Sequence, residues 1–401
     1  MHICLVTPHH VSFQPRTVRE ADALTENGHE VRVVSRQTDS TFACYDSKLM
    51  HGRTWKLQSV ELKRNGNSYR TWLKESLRSK LWDQLFSLGL RTEAAASRAY
   101  VRGLSQTIAL ASAQRADLFI AHTQAALPIA AAAARRWNAR LGFDCEDLLA
   151  QLGADPSDLV KAIEQKYVPR CDYVSVPSES IAERLVEQYG IKPPVVLYNV
   201  FPLKLAEGMI PPKERPVAGP VRLHWFGQTI GEGRGLEDAV DAAKTLGNEV
   251  ELHLRGRLDE RYRAHLELKG DGQIRFIFHP LVAHDELIKT MDQFDVGLAL
   301  EDPRNEGYGR TVTNKLFSYL LAGLAIAATD TVGQREILGK APQVGFLYPS
   351  GQPQVLAEGL RLWLDKREAL RVAQQAAWDL ARERFCWDIE KQKLFAAIRA
   401  T

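Results

Sequence analysis

From Met1 to Asn27 the chain contains no glycine. The turn after its first apolar run therefore lacks the residues that let backbone approach a pyrophosphate, which excludes the usual dinucleotide seat there. Cysteine is sparse as well. Cys4, Cys44, Cys145, Cys171 and Cys386 are odd in number and widely spaced, with no Cys-x-x-Cys pair to hold zinc or exchange electrons, so they read as reduced packing residues. No Asp-x-Asp motif is present, Asp144-x-Glu146-Asp147 coming nearest, and no cofactor is expected. The longest nearly apolar run, Leu316 to Ala328, is far short of the roughly 20 residues needed to span a bilayer. The opening MHICLVTP starts a strand directly, without the basic flank and cleavage site of an export signal. A cytoplasmic protein is expected.

The chain is longer, at 401 residues, than the roughly 250–300 at which single cores stop growing, and 45% hydrophobic residues suffice for two. Short apolar runs alternate with helical patterns: HICLVT, a helix from Thr17 to Glu26, then EVRVVS from Glu30, with further strands at Asp117, Leu141 and Asp172. Such alternation predicts a parallel sheet covered by helices. Periodicity fails where Pro202, Pro211, Pro212, Pro216 and Pro220 accumulate, which marks a linker at 201–220. A second alternation begins at Val221 and continues at Val250, Ile274, Asp295, Leu324 and Gly345. The expected fold is α/β: two Rossmann-like doubly wound domains, 1–200 and 221–375, facing each other across a cleft. Residues 376–401 form a C-terminal helix expected to return to the first domain.

Chemistry concentrates in the second domain. Gly227, Gly231, Gly233 and Gly235 form a glycine-rich turn before a helix beginning near Leu236, with Gln228 and Arg234 inside it. The turn reads either as a phosphate cradle at a helix N-terminus or as a flexible surface loop. Arg255 and Arg257 follow the second strand, within reach of the same anion or simply solvated. From Glu301 to Leu338 a strand leads into a loop and a helix that Thr311 or Thr313 can cap, leaving backbone N–H groups free near Asn314. Lys315, early in that helix, opposes the helix dipole, so it is either paired with a bound anion or solvated.

These stretches resemble the retaining glycosyltransferases of the GT-B fold, family 4 (glycosyl transferases group 1). The resemblance rests on Gly28-His-Glu-Val31, His122, Ser178 to Leu185, Asn199, Gly227 with its RGLED turn, Asn314-Lys315-Leu-Phe-Ser-Tyr, AGLAIAATD and Gly333-Gln-Arg-Glu336. It implies transfer of a sugar from a nucleotide-diphosphate sugar to an acceptor hydroxyl, with retention and without metal, in surface polysaccharide or glycoconjugate synthesis. Donor contacts are implied for Gly227, Gln228, Arg234, Arg255, Tyr308, Gly309, Asn314 and Lys315. Glu306 matches the first acid of the family's Glu-x7-Glu signature and, with His122, is implied to position the sugar. Asn314 stands where the second acid usually lies, and Gln228 where many members carry arginine. Alternatives are an epimerase or phosphorylase on the same fold, or a non-catalytic basic binding protein.

In the first domain, His9, His10 and Arg16 lie in the first loop, on the acceptor side by the same resemblance, and Asp144, Glu146 and Asp147 could bind acceptor hydroxyls. His122 is equally readable as an ordinary strand-end histidine. Net charge is +3, yet between His51 and Arg115 twelve Lys or Arg face only Glu61, Glu75, Asp83 and Glu93. This insert, with Trp55, Trp72 and Trp82 among its bases and helical spacing in its later part, leaves three readings: a dock on the inner face of an anionic membrane, a contact for an acidic acceptor, or a solvated helical insert. No nucleic-acid module accompanies the charge, so nucleic acid is not an expected partner. The acceptor partner, whether glycan, lipid-linked or protein, is left open.

Overall fold

A computed structural model describes residues 1–152, 156–216, 218–282, 284–304 and 306–400. The chain divides into two units. One comprises Met1–Pro177, Ile181–Leu197 and the segment from Lys391 onward; the other comprises Ser178–Ser180 and Tyr198–Glu390.

Among the described residues, seven strands build the first unit: β1 (His2–Val6), β2 (Glu30–Gln37), β3 (Lys56–Glu61), β4 (Leu118–His122), β5 (Arg140–Asp144), β6 (Tyr173–Val176) and β7 (Val195–Val196). Their order is β3-β2-β1-β4-β5-β6-β7 and every pairing is parallel. Ile3, Cys4, Leu5 and Val6 are all buried, as a strand covered on both faces requires. The opening helix is Pro15–Glu26, two residues longer than the expected Thr17 start, because Pro15 at its first turn needs no N–H partner. The basic insert is not wholly helical. Lys56–Glu61 pairs with β2 from Arg32↔Lys56 to Gln37↔Glu61 and extends the sheet, and only then do helices Tyr69–Ser87, Glu93–Tyr100 and Leu104–Ala111 follow.

The second unit repeats the plan with β8 (Val221–Ile230), β9 (Val250–Leu258), β10 (Arg275–His279), β11 (Val296–Ala299), β12 (Ala325–Thr329) and β13 (Gly345–Tyr348), ordered β10-β9-β8-β11-β12-β13 and parallel throughout. Here β8 runs on past Gly227 to Ile230 through a register irregularity between Phe226 and Thr229, so the glycine turn proper is Gly231–Gly235. The proline-rich stretch expected as a linker is packed within this unit. Buried Arg215 donates to the carbonyls of Ile210, Ala322 and Gly323, capping the end of helix Asn314–Ala322. The last helix, Trp387–Ala400, is shared: the division falls between Glu390 and Lys391.

Tyr319 ties helix Asn314–Ala322 to this second sheet. Its hydroxyl donates to the carbonyls of His224 (3.0 Å) and Leu298 (3.3 Å), and its ring lies over Gly297 so closely that a Cβ there would meet it at 2.2 Å. Gly297→Ala should displace the ring, strand the hydroxyl and lower stability by about 2–3 kcal/mol, as overpacking does. Urea unfolding checks this, with an unchanged midpoint as the contrary result.

Candidate functional site

Open parallel sheets bind ligands beyond the carboxyl ends of their strands, where strand order reverses. In the first unit that point lies between β1 and β4, in the second between β8 and β11.

In the first unit His122 closes β4 and is fully buried. Arg16, on helix Pro15–Glu26, grips Asp144 at the end of β5 with two bonds, Nε to Oδ2 at 2.5 Å and Nη2 to Oδ1 at 2.8 Å, and gives a third to the Leu197 carbonyl. Around this pair His122 Nε2 stands 3.2 Å from Glu20, and its Nδ1 3.4 Å from both Asp144 and Glu146. Burial opposes charge on His122, but Glu20 foremost, and then its contacts with the three carboxylates, raise its pKa well above the ordinary value. Burial likewise works to raise Asp144; Arg16 and His122 reverse it and hold the carboxyl low. Glu20 is pushed up by burial. Arg16, Asp144 and His122 were expected to meet ligands, yet they meet one another. Opposite charges thus face one another in the core, with His122 Nε2 and both Glu20 oxygens buried short of a hydrogen bond among the described residues. His10 is also paired internally: its Nδ1 bonds Asp46 at 2.7 Å while Nε2 accepts from the amides of Thr38 and Asp39. One oxygen or nitrogen from each of Glu20, His122 and Asp144 lies within 4.8 Å of the others. The guanidinium of Arg16 already neutralises Asp144, which opposes adding a second cation.

Above this cluster opens a cavity of about 410 Å³ lined by His9, Gln14, Arg36, Tyr100, Thr123, Ala125, Glu146, Asp147 and Leu149. His9, Glu146 and Asp147 thus line one cavity. Burial first, then Glu146, raises the Asp147 carboxyl to about 7, while burial and Arg102 lower Arg36 to about 10. Gln14 Oε1 and Thr123 Oγ1 are buried with no hydrogen-bond partner among the described residues. Thr123 also holds φ 67° and ψ 164°, a region that costs a β-branched residue about 1–3 kcal/mol. Sequence reading missed all three of Thr123, directly after β4, Gln14, just before helix Pro15–Glu26, and Arg36, near the end of β2, none of which carries a motif.

In the second unit Lys315 is not solvated. Its Nζ lies 2.8 Å from Glu301 Oε1 and over the Trp225 ring at 5.5 Å, with both ionic side chains about nine-tenths buried. Thr313 caps helix Asn314–Ala322, accepting from the Lys315 amide and donating to the same Glu301 oxygen at 2.9 Å. The anion partner is therefore first of all Glu301, a residue the sequence did not single out because only the fold brings the end of β11 beside the helix start. The Arg234 guanidinium lies 5.9 Å from the Tyr308 ring, joining the glycine turn to helix Glu306–Arg310. Gly235 takes φ 70° at the N-cap of helix Leu236–Leu246, against Leu300, where a side chain would be strained. Gly309 is buried near Pro303, while Glu306 and Asn314 are exposed, Glu306 pairing with Arg310 at 3.2 Å. Gly227 and exposed Gln228 lie within β8 instead of in the turn. Arg255 lies within β9, in register with Phe226 of β8. Strand alternation buries it on the face of His253 and His279, where it donates to the Pro280 carbonyl and burial lowers its pKa.

Two Rossmann-like parallel-sheet units in tandem define the GT-B class of fold. Residues 14–199 match the model of the family described as Glycosyl transferase 4-like domain. Three solved structures share the fold along essentially the whole chain. They are sucrose-phosphate synthase from Thermosynechococcus elongatus (14% identity, 100% of this chain and 98% of that one, TM-score 0.71), Anabaena HepE in complex with UDP (14%, 100% and 100%, 0.69), and an S. aureus TarM mutant in complex with Fondaparinux, alpha-GlcNAc-glycerol and UDP (9%, 99% and 99%, 0.69). Among curated proteins none matches the chain.

Glu301→Ala would leave Lys315 as an uncompensated, mostly buried charge and should cost about 3–5 kcal/mol. A fall in thermal midpoint of a degree or less would contradict the pairing. Thr123→Gly should do the opposite, raising stability by roughly 1 kcal/mol through relief of the left-handed backbone. A denaturant midpoint equal to or below wild type would contradict that strain.

Proposed function

We propose that this protein is a glycosyltransferase that moves a sugar from a nucleoside-diphosphate sugar to an acceptor hydroxyl. The observation that carries the reading is the second unit's switch point, where Arg234, Lys315 and the amide end of helix Asn314–Ala322 stand on the two elements that follow β8 and β11. Departure of a nucleoside diphosphate builds negative charge on its oxygens. A helix N-terminus and two fixed cations stabilise that charge without reorganisation. Because Glu301 already balances Lys315, the diphosphate would share that lysine with the carboxylate, and Arg234 would carry more of the net attraction.

The finer reading is retention of anomeric configuration, no metal, and a place in surface polysaccharide or glycoconjugate synthesis. Exposed Glu306 and the amide of Asn314 would hold the sugar and the ribose. HepE and TarM have been solved with UDP, which makes uridine diphosphate the first nucleotide to test. On the first unit, the cavity bearing Glu146, Asp147, Arg36 and the unpartnered Thr123 and Gln14 oxygens would accept a polyhydroxylated acceptor. His122 and Arg16 would act beneath it by positioning, through Asp144 and Glu146.

Calorimetric titration with UDP, GDP and ADP, with and without chelator, tests the donor assignment. One diphosphate should bind equally well with chelator, and Lys315→Ala should weaken it by roughly tenfold, the worth of one charge-assisted contact. Glu306→Ala should reduce turnover more than affinity. No binding by any nucleotide, or wild-type behaviour in both variants, would overturn the reading.

A further inference from the structure

The helix Tyr69–Ser87 is turned opposite to what its tryptophans suggest. Trp72 is half-buried, stacked on Tyr69 at 5.9 Å and covered by Arg64 at 5.2 Å and Arg102 at 5.9 Å; Trp82 lies under Arg98 at 5.0 Å. Glu75, Ser76 and Phe86 fill the buried side, and Ser79 donates to the Ala99 carbonyl of the neighbouring helix. The opposite face is left to leucine. Leu73, Leu77 and Leu81 are 40%, 61% and 54% exposed, and Leu88, just past the last turn, is 85% exposed. Residues four apart drift by only about 40° around a helix, so the three form one continuous stripe. Arg70, Lys74 and Lys80 fall within about 60° of its midline. All three are exposed, and none has an ion-pair partner among the described residues. The helix's two acids stand clear of that face: Glu75 is buried, bonded to Gln106, and Asp83 lies about 120° away.

We propose that this face is an interfacial membrane anchor that lies on an anionic lipid surface, leucines among the acyl chains and Arg70, Lys74 and Lys80 at the phosphates. Other exposed apolar residues need no such account when scattered singly, but three leucines spaced four apart, about 12 Å along the 19-residue helix and continued past its end by Leu88, are a contiguous patch. Its rim selects the occupant. Pairing with a second copy through a two-fold axis would bring Arg70, Lys74 and Lys80 of one molecule against the same cations of the other. A lipid surface supplies both an apolar layer and fixed negative charge in the geometry of a flat helix face. This inference stands independently of the nucleotide site.

Vesicle co-sedimentation of the full chain tests it, using phosphatidylcholine alone and phosphatidylcholine mixed with phosphatidylglycerol. Binding is expected to the mixed vesicles and to weaken with salt. Reversing Arg70, Lys74 and Lys80 to Glu should weaken it by a hundredfold or more, at about fivefold for each cation merely removed. Leu73→Ser, Leu77→Ser and Leu81→Ser together should weaken it at least about tenfold while circular dichroism stays unchanged, since these side chains already face water. Replacing Trp72 with Phe should leave it unaltered. The proposal is overturned if the wild-type chain ignores the mixed vesicles, if the leucine variant binds them as wild type does, or if the stripe proves to hold a dimer that the serine variant dissociates in light scattering.

Discussion

Both sheets are wound outward from a central parallel pair, β1 with β4 and β8 with β11, and that constraint orders everything else. A parallel sheet sends every strand's carboxyl end to one edge, so the loops that can carry chemistry gather there whatever their distance in sequence. It also demands cover on both faces, which is why strands such as Ala325–Thr329 are buried end to end and why Tyr319 can lie flat over Gly297. The helix that presents Lys315 is thereby fixed to the sheet from beneath.

A second regularity is that the charges near these edges come in closed sets. Arg16 holds Asp144, His122 sits among three carboxylates, and Lys315 holds Glu301. Buried ions impose this, since each would cost several kcal/mol without a counter-charge. The groups nearer solvent differ in kind: exposed Glu306, paired with Arg310 on its own short helix, exposed Asn314, Arg234 against an aromatic face, and the partnerless oxygens of Thr123 and Gln14. Such residues can change partner when a ligand arrives. The buried pairs set where they stand.

Much of the architecture was legible because strand and helix periods are local. Of the thirteen strands among the described residues, eleven coincide with apolar or alternating runs that the sequence displays, whereas β3 and β7 do not: Lys56–Glu61 is a polar edge strand and Val195–Val196 is two residues long. At the site, residue types were readable and their partners were not. A threonine cap at 311 or 313 followed from position before the helix. The expectation for Lys315 was a bound anion or solvent, and its pairing with Glu301 depends on a contact across fourteen residues, as the burial of His122 and Arg16 depends on Glu20 and Asp144 arriving from separate elements. Composition also misdirected the basic helix. Tryptophans drew notice, but it is the angular placement of ordinary leucines that opens to solvent.

The proline-rich stretch after Tyr198 shows how a boundary drawn from composition can cut through a fold. Arg215 supplies three donors to carbonyls of Ile210, Ala322 and Gly323, two of them at the C-terminal end of the helix whose other end bears Lys315. Expressing the second half alone from Val221 would strip those carbonyls of their partner and bare the Trp378 ring beneath the same guanidinium. A protein chemist wishing to dissect this molecule should begin the piece at Tyr198, treating the prolines as a retaining wall for helix Asn314–Ala322.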